Sequence, residues 1–352
     1  WPGWSPDMNH IAFSGKINRL DGTEALSLFV HNLRTNRTHA IHTNERGSGP
    51  LLPTMPYYSY WSPDSNKLVF TSKIPFGATL HVFNSDTKNN PIKLLEADPI
   101  YQSWSPNSKQ LLVHASDAHY LIDIDDETSS ITSLDAKSNN YRTPAWTNFN
   151  HEMVFVSEQP DRFHKLYKSG TTSSSKHILI QNIPKATAFL FSPNGEFVAV
   201  GHSNKRDGDL YKKLNFFSKT GEIVPVETDG NIFAFFWSPD SSKLAYIIEA
   251  ETKGFKRWMI LDIETGIRQF IVDFIPSGPQ TTIFRLFDQF AYSHSPWAPD
   301  SNSLVFSGSL RTEEESITKI RQQSPHIIVA NVENQPITST IASGLLAFWS
   351  AQ

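Results

Sequence analysis

The 352-residue sequence contains no cysteine, which excludes disulfides, thiolate metal sites and a cysteine nucleophile. No apolar run is long enough to cross a bilayer as a helix. Charge is scarce and nearly balanced. Charged residues make up 19% and the net charge is -4, so no basic field exists to attract nucleic acid. Catalytic signatures are missing as well. There is no Gly-x-Ser-x-Gly nucleophile elbow. His151-Glu152 is not followed by a second His at the metalloprotease spacing. Gly47-Ser48-Gly49 does not run on into a dinucleotide or phosphate loop. The chain opens on Trp1-Pro2-Gly3-Trp4 with no initiator Met and no signal peptide, and the expectation is processing or truncation upstream.

Aromatic residues, by contrast, are plentiful at 12%, a lean towards sheet, and they recur. Trp4-Ser5-Pro6-Asp7 returns as Trp61-Ser62-Pro63-Asp64, Trp104-Ser105-Pro106-Asn107 and Trp237-Ser238-Pro239-Asp240. Weaker copies are Trp146-Thr147-Asn148, Phe191-Ser192-Pro193-Asn194 and Trp297-Ala298-Pro299-Asp300, and Trp349-Ser350 ends the series. The intervals are 57, 43, 42, 45, 46, 60 and 52 residues. Pro presets the backbone for the second position of a tight turn, and Asp or Asn can bond the amides that follow. Each turn leads into an apolar strand, such as Ile11-Ala12-Phe13, Leu68-Val69-Phe70 or Leu304-Val305-Phe306. Two further strands follow in most units, with Pro225 in one fourth strand marking it as an edge.

Four antiparallel strands per repeat, arrayed radially, make a β-propeller blade. The expected fold is therefore all-β: one domain, residues 1–352, forming a seven-bladed β-propeller. The blades fall near 1–42, 57–95, 98–134, 141–180, 185–226, 231–271 and 290–341. The segment 344–349 is expected to close the ring by joining the first blade, with Leu345 to Phe348 beside Ile11 to Ser14. The alternative is eight blades with one truncated.

The Trp-Ser-Pro-Asp turn followed by an Ile/Leu-Ala/Val-Phe strand resembles the TolB-like propeller repeat, along nearly the whole chain. The repeat also occurs in propellers of prolyl oligopeptidase-type enzymes, whose nucleophile elbow is missing here. The segments Phe287–His294 and Gly344–Ser350 are similar to features of a bacterial subgroup of TolB-like proteins. The resemblance implies a bacterial, periplasmic or extracellular setting. It does not imply an activity, because one fold hosts many.

Strand order sorts the connections onto two faces. The Ser-Pro-Asp turns and the third connections are short and share one face. The long segments 15–25, 43–56, 203–212, 249–256, 273–290 and 308–324 share the other. Long loops on a rigid scaffold commonly carry recognition, so this long-loop face is the expected working surface. Candidate binding residues there and at the channel mouth are Tyr57, Tyr58, Tyr101, Arg142, Lys185, Arg285, Phe287, Asp288 and His294. Phe284, Leu286 and Phe287 would either mark a protein contact or cap the channel, with capping slightly favoured. His294, three residues before Trp297, is the best candidate for a channel metal ligand, although a structural role is favoured.

His31, His39 and His42 read as surface histidines that could cluster. Asp123-Ile124-Asp125-Asp126-Glu127 lacks the central Gly and distal Glu of a calcium loop, and Asp207-Gly208-Asp209 reads as a turn. Asn36-Arg37-Thr38 fits the glycosylation pattern. No catalytic residue, metal or cofactor is assigned. The expected function is that of a non-enzymatic scaffold binding a protein or peptide, as a module of a larger polypeptide or assembly. The alternative is an enzyme with a His- or metal-based site in the channel, of polysaccharide lyase or hydrolase type.

Overall fold

A computed structural model describes residues 2–45, 54–87, 90–125, 129–138, 143–147, 152–158, 164–170, 176–183, 187–202, 211–212, 214–224, 226–228, 230–311, 317–333 and 335–350. The first unit is a sheet of β1 (Gly3–Trp4), β2 (His10–Asn18), β3 (Glu24–Asn32) and β4 (Arg37–Thr43). The second has β5 (Pro56–Trp61), β6 (Lys67–Ile74), β7 (Gly77–Asn84) and β8 (Ile92–Ala97). The third has β9 (Ile100–Trp104), β10 (Gln110–Ala115), β11 (Ala118–Ile124) and β12 (Ser129–Lys137). The fourth has β13 (Ala145–Trp146), β14 (Met153–Glu158), β15 (His164–Ser169) and β16 (Ile178–Ile183). The fifth has β17 (Thr187–Phe191), β18 (Phe197–His202), β19 (Leu214–Ser218) and β20 (Ile223–Val224).

The sixth and seventh units share one seven-stranded sheet. It runs β21 (Ile232–Trp237), β22 (Lys243–Glu249), β23 (Lys256–Asp262), β24 (Arg268–Pro276), β25 (Ser303–Leu310), β26 (His326–Asn331) and β27 (Thr338–Ser343). The two units fuse because β24 runs on past its own sheet and pairs Phe274, Ile275 and Pro276 with Leu310, Ser309 and Gly308. Helices α1 (Gly278–Arg285) and α2 (Phe287–Phe290) follow β24, and α3 (Ile317–Gln322) precedes β26. The ladders are antiparallel, so the architecture is an all-β propeller.

The repeated turn does more than reverse the chain. In the first, Ser5 Oγ donates to Asp7 Oδ1 at 2.6 Å and accepts the His10 amide at 2.9 Å, while Asp7 Oδ1 accepts the Asn9 amide at 3.0 Å. The Ser-to-Asp or Ser-to-Asn bond recurs at Ser62, Ser105, Ser192 and Ser238. Asp7 and Asp240 are held below the ordinary carboxylate range: burial pushes them up, but bonds from the turn Ser and the following amides outweigh it. The residue after the turn Asp or Asn sits at positive φ, as at Ser65, Ser108, Ser241 and Ser301.

Those serines join neighbouring units. The amides of Asp7, Asp64, Asn194 and Asp240 donate to Ser65, Ser108, Ser241 and Ser301 Oγ at 2.9–3.0 Å. A second tie comes from the indole N–H of Trp61, Trp104, Trp146, Trp237 and Trp297. Each donates at 2.9–3.2 Å to a carbonyl of the preceding unit's inner strand. Between units lie apolar clusters. Ala12 and Leu28 meet Trp61 and Phe70; Leu80 meets Leu111; Leu112 meets Trp146; Val154 meets Phe189. One large cluster spans units five, six and seven.

The junction of unit seven with unit one is different. No buried cluster bridges it among the described residues. Met8 stands where four other turns place Ser and the turn of unit five places Gly195, with the same positive φ but no hydroxyl to accept the Asp300 amide. Trp4 is 37% exposed, and no indole bond ties it to the described residues of unit seven. The ends meet through fewer contacts: His294 Nε2 with the Pro2 carbonyl at 3.0 Å, and a His294–Phe348 ring contact at 4.6 Å.

The expected ring closure is corrected here. Residues 344–349 form no strand and do not pair with β2. β1 holds the inner place instead, pairing Gly3 with Ala12 and Trp4 with Ile11. The C-terminal segment bonds within unit seven and to α1. Ser307 Oγ donates to the Gly344 carbonyl at 2.7 Å, the Ala347 amide donates to Gln280 Oε1 at 3.2 Å, and the Trp349 amide reaches the Ser295 carbonyl at 3.4 Å. The physical reason is that α1 presents a buried amide acceptor and takes up the segment before it can reach β2.

Candidate functional site

The long connection after β24 does not stand out as a loop. Ser277 caps α1, its Oγ accepting the Gln280 amide at 3.1 Å, and Pro279 sits in the first turn, where no amide is needed. The helix then buries Phe284 against Phe236, Trp258 and Phe274. α2 lies against the inner strands β17 and β21. Phe287, 1% exposed, meets Phe235 at 4.5 Å and Tyr211 at 5.9 Å. Phe290 meets Tyr58 of unit two edge-on at 5.1 Å. These aromatics plug the channel, the alternative that the sequence slightly favours.

The predicted site residues scatter accordingly. Tyr58 is buried and its hydroxyl donates to the Gln289 carbonyl at 3.2 Å. Burial pushes its phenol well above the ordinary range. His294 is buried, with Nδ1 at 2.8 Å from Ser293 Oγ and Nε2 on Pro2. Burial lowers its pKa to about 4, so it is neutral at pH 7 with both ring nitrogens engaged. Tyr58, Phe287 and His294 are therefore buried. Tyr101 is half-buried and stacks near His114 at 6.3 Å. Tyr57 and Arg285 are exposed and Asp288 is half-buried. Arg142 and Lys185 lie outside the described residues, as do His151, Asp126, Glu127, most of 43–56 and 203–212, and the acidic part of 308–324.

His31, His39 and His42 do not gather into a site. His31 bonds Thr38 at 2.8 Å, and His42 bonds the Thr54 carbonyl at 2.8 Å. A buried pair that sequence reasoning does not single out is His114 with His119. The two rings face each other across β10 and β11 at 4.5 Å. Among the described residues, no three His, Asp or Glu side chains come together as metal ligands would.

On the turn face the channel opens into a cavity of about 240 Å³. Its walls include Trp4, Tyr60, Trp61, Tyr292, Trp297 and Trp349. His294 is the single side chain among the described walls of a type that ordinarily titrates near neutrality, and its bonds are already made. The long-loop face carries apolar groups in water. Leu20 and Phe76, at the tips of the β2–β3 and β6–β7 hairpins, are fully exposed, and Leu286 and Leu345 are about half so.

No known protein-family description matches the chain, and no curated protein matches it by sequence. Solved structures do. Oligogalacturonate lyase from Vibrio parahaemolyticus superposes with a TM-score of 0.57 at 12% identity, over 94% of this chain and 85% of that one. The β-propeller domain of the Trilobed protease from Pyrococcus furiosus, described as having an open velcro topology, gives 0.53 at 14% identity, over 94% of both chains. The dihydro-heme d1 dehydrogenase NirN gives 0.59 at 11% identity, over 100% of this chain and 68% of that one. At such identities the likeness establishes the fold: the chain is a β-propeller.

Proposed function

We propose that this protein is a non-enzymatic binding propeller whose long-loop face takes a protein partner. The observation that carries this reading is the set of large apolar side chains held in water on that face: Leu20, Phe76, Leu286 and Leu345. Hairpin tips have no need of such residues for folding, and a face that leaves large apolar groups in water is a candidate contact surface. Tyr57 and Arg285 are exposed candidates for the rim. The seven repeat units are read as seven blades of one ring, of the TolB-like repeat type, in a bacterial periplasmic or extracellular setting.

An enzyme of lyase type would need convergent titratable groups at the channel, and the described walls supply aromatic rings and hydroxyls instead. The test is quantitative affinity capture from the native proteome with the wild type and a Leu20→Ser/Phe76→Ser double variant. At least one partner should fall tenfold or more with the variant, while its melting temperature stays unchanged. Equal capture by both proteins would overturn the surface. Steady release of unsaturated oligosaccharide from polygalacturonate would overturn the non-enzymatic reading.

A further inference from the structure

The outer halves of units one and two do not close on each other at the turn face. A cavity of about 230 Å³ lies between them, with Val30 and Ile41 of unit one and Phe83 and Pro91 of unit two among its walls. One position explains the opening. In six units the residue at the end of the third strand donates its amide to the carbonyl two places after the turn Asp or Asn. These residues are Leu33, Ser85, Ile124, Lys219, Ile263 and Val332, so they hold equivalent places. Ile124, Ile263 and Val332 are buried in the inter-unit clusters. Lys219 reaches Glu196 at 2.7 Å, and Leu33 is 41% exposed. Ser85 lines the cavity, half-buried, with its hydroxyl turned back onto the Asn66 carbonyl at 2.9 Å. A short side chain there leaves open the volume that an aliphatic one fills in units three, six and seven.

The polar walls are unevenly committed. Asn32 Oδ1 accepts the Thr35 amide at 2.9 Å and the Thr35 hydroxyl at 3.1 Å, and Asn32 Nδ2 donates to His10 Nε2 at 2.9 Å. Burial holds the His10 imidazole below its ordinary range, against the pull of Asp7 and Asp86, so it is neutral at pH 7. These groups are used on one another. Arg37 and His39, two places apart on β4, also line the cavity. Their side chains make no hydrogen bond or ion pair among the described residues. Nor does any carboxylate line the cavity among the described residues. The Arg37 guanidinium is therefore an unmatched charge in a cavity with an apolar wall.

We infer that this cavity binds a small monocarboxylate with an apolar body. Arg37 takes the carboxylate, because the fork of a guanidinium matches its two oxygens. Val30, Ile41, Phe83 and Pro91 cover the body and remove its apolar surface from water. One placed charge against an apolar wall is how small-molecule sites are commonly built. At about 30 Å³ per water-sized group, the volume suits a ligand of about eight to ten non-hydrogen atoms. The site lies on the turn face, away from the long-loop surface, and stands or falls apart from the partner-binding reading.

The probe is phenylacetate, titrated into the isotope-labelled full chain while the amide resonances of Asn32, Ala40 and Ser85 are followed. Their shifts should saturate with a dissociation constant of about 1 mM or below. Phenylacetamide, the uncharged isostere, and acetate, the charge without the body, should each bind at least tenfold more weakly. Ser85→Ile should abolish the saturable shift and leave the melting temperature equal or higher. Arg37→Gln, at an exposed position, should weaken phenylacetate at least tenfold and leave phenylacetamide unchanged. No saturable shift in the wild type overturns the site. Equal binding of phenylacetamide, or unchanged phenylacetate binding by Arg37→Gln, overturns the anion assignment, and equal binding of acetate overturns the apolar one. Saturable binding that survives Ser85→Ile overturns the cavity as its place. A lower melting temperature for Ser85→Ile overturns the equivalence with Ile124, Ile263 and Val332.

Discussion

The junction between units six and seven and the junction between units seven and one use the same turn, yet only the first is sealed. At the former, Trp258, Phe274, Phe284 and Phe306 interlock, with Phe274 and Phe306 centred 4.7 Å apart, and Trp297 and Ser301 complete both inter-unit bonds. At the latter, Trp4 is partly in water, Met8 replaces the accepting Ser, and no buried cluster forms among the described residues. A propeller can therefore hold together through most of its circumference and leave one slot. The slot lies where the two ends of the described chain meet.

The contrast should be sharpest in truncation. Trp258→Ala should cost about 3–5 kcal/mol, the range for a large buried aromatic. Phe13→Ala, on the unsealed side, should cost under about 1 kcal/mol, as a half-exposed position does. Urea unfolding of both variants measures the difference, and similar losses would erase the comparison.

Acid should act next. His119 and His294 are buried and hold pKa values of about 3 and about 4, against about 6.5 in an unfolded chain. The unfolded state therefore binds more protons in between. Stability is full above about pH 6.5 and is lost as pH falls towards 4. Melting temperature followed from pH 7.5 to pH 4 should drop monotonically, and a His119→Phe/His294→Asn variant should show a shallower slope. A flat wild-type profile would remove both histidines from this role.

The smallest effects concern single ties. Ser241→Ala removes the acceptor for the Asn194 amide and should cost about 1 kcal/mol. Met8→Ser supplies the acceptor that the seventh junction lacks, at a backbone conformation that Ser65, Ser108, Ser241 and Ser301 already adopt. It should raise stability by up to about 1 kcal/mol. Thermal melts of the two variants should move in opposite directions.

The sheet repeat is legible because the turn demands Pro and Asp, and because strands packed on both sides read as apolar runs such as Leu68-Val69-Phe70. The plug is half legible. Phe284 and Phe287 are visible as apolar residues, but their burial depends on Trp258 and Phe235, which only the folded sheets bring near. The closing strand misleads because Leu345 to Phe348 look like a strand by composition, whereas Gln280 and Ser307 bind the main chain of that segment. His294 is found by its spacing from Trp297, but its role is fixed by Pro2, at the far end of the chain. The unsealed junction leaves only a faint trace in sequence, Met8 in place of Ser, because Gly195 departs in the same way at a junction that a buried cluster does seal. That trace has meaning only once Ser65, Ser108, Ser241 and Ser301 are known to accept bonds.

The central claim is that the ring has one loose junction. Because the chain has no cysteine, spin labels can be placed at introduced cysteines without background. Asn9, Ser242 and Asn302 hold equivalent places, two residues after the turn Asp of units one, six and seven. Pulsed electron paramagnetic resonance should give a clearly broader distance distribution for the Asn302→Cys/Asn9→Cys pair than for the Asn302→Cys/Ser242→Cys pair. Distributions of equal width would contradict the claim.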